Sequence, residues 1–222
     1  MFDITKLALK IPNFLTHEEC DRLIDDFEQR KNKALKEGST NINTGERETS
    51  SFNVVHLNPY TNNFNFIKEK TKLAIDIWIN YLSQPQYFFT QGLRSNLNYS
   101  HLYRIMKYNI GAKIHPHTDY FPGTFGSISF NLNEEYEGGE FKFFNGNYTV
   151  PLRKGDALIF PADFFWIHEV TPITKGERYS LNSFIINNPK NVLEENISNL
   201  YTSSNNYLQN TPPEELLGPY NI

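Results

Sequence analysis

The chain has 222 residues, of which 39% are hydrophobic and 15% aromatic, enough to close a core without disulfides. A formal charge of −4 gives no basis for nucleic-acid binding, and no apolar run reaches the length of a membrane span. A single cysteine, Cys20, and an N-terminus without a basic region followed by an apolar stretch point to a reducing, cytoplasmic setting, with neither nucleic acid nor membrane as partner.

Thr16-His17-Glu18-Glu19 reads as a capping box, and Cys20, Leu23, Ile24 and Phe27 follow at helical spacing. A helix is therefore predicted from about 17 into the low 30s. Residues 36–46, polar and glycine-bearing, are expected to be a loop. A second helix is predicted over about 64–82, with Ile67, Ala74, Ile77, Trp78 and Tyr81 on one face and Pro85 closing it.

From Leu102 the apolar period changes to two. Strands are predicted at 102–109, 126–133, 140–144, 147–152, 156–160 and 178–186. Glu137-Gly138-Gly139, Asn145-Gly146-Asn147 and Lys154-Gly155-Asp156 supply the turns between them. Short strands punctuated in this way imply a mainly β, α+β chain: an antiparallel barrel or sandwich with the helices packed outside. One domain is expected over 1–189, helical to about 100 and β from about 101, with an irregular tail at 190–222.

The stretch HPHTDYF, His115 to Phe121, places two histidines and a carboxylate within five residues. Residues two apart in a strand share a face, so His117 and Asp119 can converge, with His115 as the competing register. A His-x-Asp triplet is common enough by chance to be weak evidence alone. His168, however, lies among large apolar residues, where an unpaired buried imidazole is costly and metal ligation would satisfy one ring nitrogen. Arg178 follows ten residues later.

The ordered set of landmarks resembles the non-haem iron(II), 2-oxoglutarate-dependent dioxygenases, and within them the prolyl 4-hydroxylase-like group. They are Tyr108-Asn109-Ile110-Gly111, HPHTDYF, Tyr136-Glu137-Gly138-Gly139-Glu140, Lys154 to Phe160, His168 to Pro172, and Gly176 to Ser180. The likeness covers about 102–187, with weaker support from Lys10 to Ile24.

It implies a double-stranded β-helix (jelly-roll) core and Fe(II) held by His117, Asp119 and His168. It further implies 2-oxoglutarate and O2 as cosubstrates, with ascorbate in support. A facial set of two imidazoles and one carboxylate leaves three coordination positions open. Arg178 suits the far carboxylate of 2-oxoglutarate because a guanidinium grips it in two places and keeps its proton. On a strand, Arg178, Ser180, Asn182 and Phe184 share a face. That puts Ser180 beside the same carboxylate and Phe184 toward substrate.

Tyr108 matches a cosubstrate-pocket tyrosine or is a core aromatic, and Asn131 stands where some relatives carry another tyrosine. Trp166 either walls the iron pocket or packs. Arg47, in Glu46-Arg47-Glu48-Thr49-Ser50, loosely matches a mobile basic substrate element or sits in an ordinary helix-to-strand loop.

The implied reaction is hydroxylation of an unactivated C–H bond with decarboxylation of 2-oxoglutarate to succinate and CO2. A prolyl residue in a peptide or protein is the expected substrate. Collagen-type members usually carry Lys where Arg178 stands, which argues against that specificity. A hydroxylase of a free amino acid or other metabolite is the alternative within the class. From another class, a non-catalytic metal-holding barrel remains open, although structural zinc favours four protein ligands.

Overall fold

In the computed structural model, which describes residues 3–84, 97, 99–121, 123–186 and 217–219, the strands follow one another as listed by chain position. They are β1 (Leu9–Ile11), β2 (Leu35–Thr40), β3 (Arg47–His56), β4 (Tyr99–Tyr108), β5 (Ile114–His117), β6 (Thr124–Asn131) and β7 (Tyr136–Gly138). Then come β8 (Phe141–Phe143), β9 (Tyr148–Val150), β10 (Ala157–Pro161), β11 (His168–Val170), β12 (Ile173–Gly176), β13 (Arg178–Ile186) and β14 (Leu217–Pro219). The larger sheet runs β1-β10-β6-β13-β4-β3-β2, the smaller β5-β11-β8-β9, and β12 pairs with β7. All of these pairings are antiparallel, and the architecture is a jelly-roll with flanking helices.

Period-two alternation divides the apolar residues between two cores. Ile105, Ile128, Ile159 and Leu181 point outward from the larger sheet, under the helices α1 (His17–Arg30) and α2 (Asn62–Leu82). Met106, Tyr108, Leu158 and Phe160 point inward and meet Phe141, Phe143 and Val170 of the smaller sheet. Burying each such side chain contributes about 1.5–3 kcal/mol.

Thr16 caps α1 as predicted: its hydroxyl accepts from the Glu19 amide at 3.2 Å, and the Glu19 carboxylate accepts from the Thr16 amide at 2.9 Å. In α2 the buried face is Ile67, Thr71, Ala74, Ile75, Trp78, Ile79 and Leu82, whereas Ile77 and Tyr81 are only partly covered. The Trp78 indole donates to the Leu7 carbonyl at 2.8 Å, and this contact orients the helix over β1. Pro85 lies outside the described residues.

The expected loop at 36–46 is instead strand and turn. β2 and β3 form a hairpin that extends the larger sheet at its edge. Its polar composition, Lys36-Glu37-Gly38-Ser39-Thr40, hides it from a hydrophobic-period search; such residues are usual on a sheet edge. Gly38 is required there, since a Cβ would lie 1.8 Å from the Glu48 carbonyl oxygen. The hairpin leans on β5: the His115 amide donates to Ser39 at 2.8 Å and the Ile42 amide to the Pro116 carbonyl at 2.8 Å. Within the tail expected to be irregular, Leu217–Pro219 pairs with β4 at Tyr99–His101.

Glu28 on α1 ties that helix to the sheet. It accepts from the Tyr179 hydroxyl at 2.6 Å and from Lys107 at 3.1 Å. The Tyr179 hydrogen bond, with the lysines beside it, overcomes the effect of burial and brings the Glu28 carboxyl down to about 2. A folded-state value below the unfolded one means stabilisation that is present above about pH 4.5 and lost as pH falls toward 2. Glu28→Gln is therefore expected to cost about 1–2 kcal/mol at pH 7. Urea unfolding should show this gap holding above about pH 4.5 and narrowing as pH falls from there toward 2.

Candidate active site

His117 ends β5 and His168 opens β11, and the two are Cα partners across the smaller sheet. Their ring centroids are 4.3 Å apart. Asp119, two residues beyond His117, brings Oδ1 to 3.3 Å from His117 Nε2 and Oδ2 to 3.4 Å from His168 Nε2. One ligand atom from each of the three lies within 4.8 Å of the others, and among the described residues no other such group occurs.

His115, the competing register, points elsewhere: its Nε2 is 3.5 Å from Glu48. The imidazole orientations are set from behind. His117 Nδ1 donates to the His115 carbonyl at 2.8 Å and His168 Nδ1 to the Trp166 carbonyl at 3.0 Å, leaving both Nε2 atoms free to ligate. Phe141 stacks on the His168 ring at 5.4 Å and 8°.

Burial pushes the Asp119 carboxyl up, but the two imidazoles, His168 first, more than offset this and hold it well below the usual range. For His117 burial acts downward, and the Asp119 carboxylate outweighs it, raising the imidazole. The cluster thus sets one carboxylate against two imidazole Nε2 atoms, a donor set that a divalent cation fits.

Ser127 on β6 donates to Asp119 Oδ2 at 2.6 Å and so links the two sheets at the carboxylate. It was not among the sequence candidates, although the signal is visible: Ser127, Ser129 and Asn131 are polar at every second position between Gly126, Ile128, Phe130 and Leu132. Ser127→Ala is expected to weaken divalent-metal affinity about 10- to 100-fold. Calorimetric titration with Mn(II) measures the loss, and the melting temperature of the metal-free protein should be unchanged.

An open cleft adjoins the cluster, with Arg104, Ser129, Asn182 and Phe184 on the wall opposite the ligands. Along β13 the row Arg178, Ser180, Asn182, Phe184 lies on one face, paired across to Asn131, Ser129 and Ser127 of β6 and to Tyr108, Met106 and Arg104 of β4. Arg178 sits at the inner end, 1% exposed, 5.0 Å from the Tyr108 ring. Its Nε donates to Asn131 Oδ1 at 3.2 Å, and the Tyr136 hydroxyl donates to the same oxygen at 3.1 Å. Tyr136 was not among the sequence candidates either.

Gly139 makes room for this arginine: it has φ +63°, and a Cβ would meet Ile173 at 2.6 Å and Arg178 Cδ at 3.0 Å. Arg178 Nη1 and Ser180 Oγ are buried without hydrogen-bond partners. Orphaned donors of this kind fit a carboxylate-bearing ligand. The Tyr108 hydroxyl faces Met106 Sδ at 3.7 Å, and burial raises its pKa.

Trp166 is 1% exposed in the inner core, in contact with Phe143 at 5.4 Å. Its carbonyl, rather than its ring, serves His168. Arg47 does not lie in a loop; it is exposed at the start of β3 and paired with Thr40, away from the cavity lining.

Residues 103–186 match the family described as the 2OG-Fe(II) oxygenase superfamily. Among curated proteins, the chain is similar to mouse procollagen-lysine,2-oxoglutarate 5-dioxygenase 1, at 28% identity over 173 residues, 77% of this chain and 22% of the relative. The multifunctional procollagen lysine hydroxylase and glycosyltransferase of Caenorhabditis elegans is 29% identical over 187 residues, 75% of this chain and 22% of the relative. The chain thus spans 22% of the length of each of these relatives.

Among solved structures, the oxygenase fold is shared with a Pseudomonas putida prolyl-4-hydroxylase (TM-score 0.58, 19% identity, 82% of this chain and 92% of that one). It is also shared with a Trichoplax adhaerens prolyl hydroxylase in complex with a hypoxia inducible factor peptide fragment (TM-score 0.62, 15% identity, 86% and 88%). The two Nε2 atoms and the carboxylate suit ferrous iron, and the orphaned Arg178 and Ser180 atoms suit the 2-oxoglutarate that this family name implies. Among the described residues no helix is long and apolar enough to cross a membrane.

Proposed function

We propose that this protein hydroxylates an unactivated C–H bond of a prolyl residue in a polypeptide, using Fe(II), O2 and 2-oxoglutarate, in the cytoplasm. The observation that carries the reading is the convergence of His117, Asp119 and His168 beside a cavity lined by Asn182 and Phe184, with the buried Arg178 further along the same face of β13. In this reading the triad holds the iron, Arg178 and Ser180 hold the distal carboxylate of 2-oxoglutarate, and Tyr108 forms that pocket's side wall. The bound iron and cosubstrate supply the oxidising chemistry, with succinate and CO2 as coproducts. The chain's own part is to bind, orient and exclude water. Phe141, Phe160 and Val170 keep the ligand side apolar, and Phe184 faces the substrate.

The likeness in fold to prolyl hydroxylases supports proline. A second reading, a lysyl residue, is favoured by the two relatives named for procollagen lysine hydroxylation. Mass spectrometry after incubating a peptide library with enzyme, iron, ascorbate and 2-oxoglutarate tests both. Addition of 16 Da on proline is the expected result. Addition on lysine selects the second reading, and turnover of a free metabolite with no modified peptide contradicts both.

A further inference from the structure

The cavity wall facing the iron ligands carries a feature that metal and cosubstrate binding leave unused. Along β4, Arg104 pairs with Asn182 while His101 pairs with Phe184, so Leu102 and Tyr103 together oppose the single residue Ser183. This is a β-bulge, and Leu102 takes φ +57° to form it. The left-handed region is unfavourable for leucine, and strain of this kind persists where the surroundings enforce it. In an unbroken strand, residues three apart face opposite sides. The bulge instead places His101 and Arg104 on the same side of the sheet as Asn182 and Phe184.

Arg104 lines the cavity together with Asp119 and His168. Its guanidinium lies 5.3 Å from the Phe184 ring centroid, and Nη1 donates to Glu37 of β2 at 3.2 Å. Its Nε is buried and has no hydrogen-bond partner. His101 packs against Phe184 at 5.9 Å, also with a buried Nε2 lacking a partner, and burial lowers its pKa to about 3, so the ring is neutral. Two unsatisfied ring or guanidinium nitrogens thus flank the aromatic side chain nearest the substrate space. Buried donors are nearly always paired, and an orphan at a ligand cavity marks a place for a ligand acceptor.

The charge already present selects that acceptor. Glu37 neutralises Arg104, so a further carboxylate at Nε would bring a second anion close to Glu37, whereas a carbonyl oxygen satisfies the N–H without added charge.

We propose that Arg104, held by Glu37, is a specificity-determining residue: its Nε–H donates to a main-chain carbonyl of a polypeptide whose target side chain passes Phe184 toward the metal site. The proposal rests on the hydroxylase reading and names the contact that distinguishes a polypeptide from a free amino acid.

Arg104→Lys keeps the charge and the reach to Glu37 but removes the Nε donor, and Arg104→Met keeps the apolar stem and removes every donor. Both are expected to retain peptide-independent conversion of 2-oxoglutarate to succinate, with its KM unchanged. Both should raise the KM for a hydroxylated peptide roughly 10- to 30-fold at little cost in kcat. Backbone replacement of the peptide amide by an ester, which weakens the carbonyl acceptor, should raise the wild-type KM and leave that of Arg104→Met unaltered. A wild-type peptide KM in Arg104→Lys overturns the assignment while leaving the hydroxylase reading intact. A free amino acid as the only substrate overturns the polypeptide occupant. Absence of any iron-dependent 2-oxoglutarate turnover in the wild type overturns the hydroxylase reading itself.

Discussion

Asp119→Ala is expected to abolish iron-dependent conversion of 2-oxoglutarate to succinate, by roughly 10^3-fold or more, equivalent to about 4 kcal/mol. Asp119 is the only anion of the triad and stands between the two Nε2 atoms at 3.3 and 3.4 Å. Removing it leaves two imidazoles 4.3 Å apart facing each other, and a divalent cation loses its only charged ligand. The fold should survive with some loss of stability, because the two imidazoles lose their carboxylate and Ser127 its acceptor. A succinate assay alongside thermal unfolding separates loss of chemistry from loss of fold. A variant that still unfolds cooperatively but turns over nothing is the expected outcome.

Arg178→Met is the second large effect, and it should appear in a different parameter. The guanidinium is 1% exposed, held from below by Asn131 and flanked by Tyr108, with Nη1 unpaired and directed away from Asn131. A buried cation that is only half satisfied in the free protein gains its full partner when a carboxylate enters. Truncating one partner of such a pair costs about 3–4 kcal/mol, so the KM for 2-oxoglutarate should rise about 10^2- to 10^3-fold. Iron affinity in the absence of cosubstrate should stay near the wild-type value, because Arg178 touches none of the three ligands. Arg178→Lys should recover part of the loss, since an ammonium restores charge but not the two-point grip. Steady-state kinetics with 2-oxoglutarate varied, paired with Mn(II) titration, reads both quantities.

The β core and the metal cluster were legible because both depend on local periodicities. Alternation marked β4, β6, β10 and β13 to within a few residues, and the two-residue spacing of His117 and Asp119 survives in the structure because β5 runs into the segment that carries Asp119. Strand spacing alone left His115 as a competing register and the resemblance chose His117; in the structure His115 turns to Glu48 of β3 instead. β2 carries no apolar period, so a loop was the natural reading of 36–46. Three-residue strands such as β11 and β7 are too short to show a period at all.

Several placements that the sequence left open turn on side-chain direction. Trp166 sits two residues before His168, yet its ring turns into the inner core and only its carbonyl reaches the histidine. Arg47 opens a strand instead of hanging over the cavity. Asn131, doubtful as a cosubstrate ligand from sequence, is the acceptor that holds Arg178 Nε. The bulge at Leu102 left no trace in composition, and it determines that Arg104 faces the cavity at all.

The most direct measurement of the central claim is the thermodynamic coupling between metal and cosubstrate. If the triad holds the ion and Arg178 holds the far carboxylate, 2-oxoglutarate bridges the two and its affinity depends on both. Calorimetry of 2-oxoglutarate binding with Mn(II) present should give one site per chain, greatly weakened after chelation of the metal and lost in both Asp119→Ala and Arg178→Met. Equal affinity with and without the ion, or unaltered binding in either variant, would contradict the account.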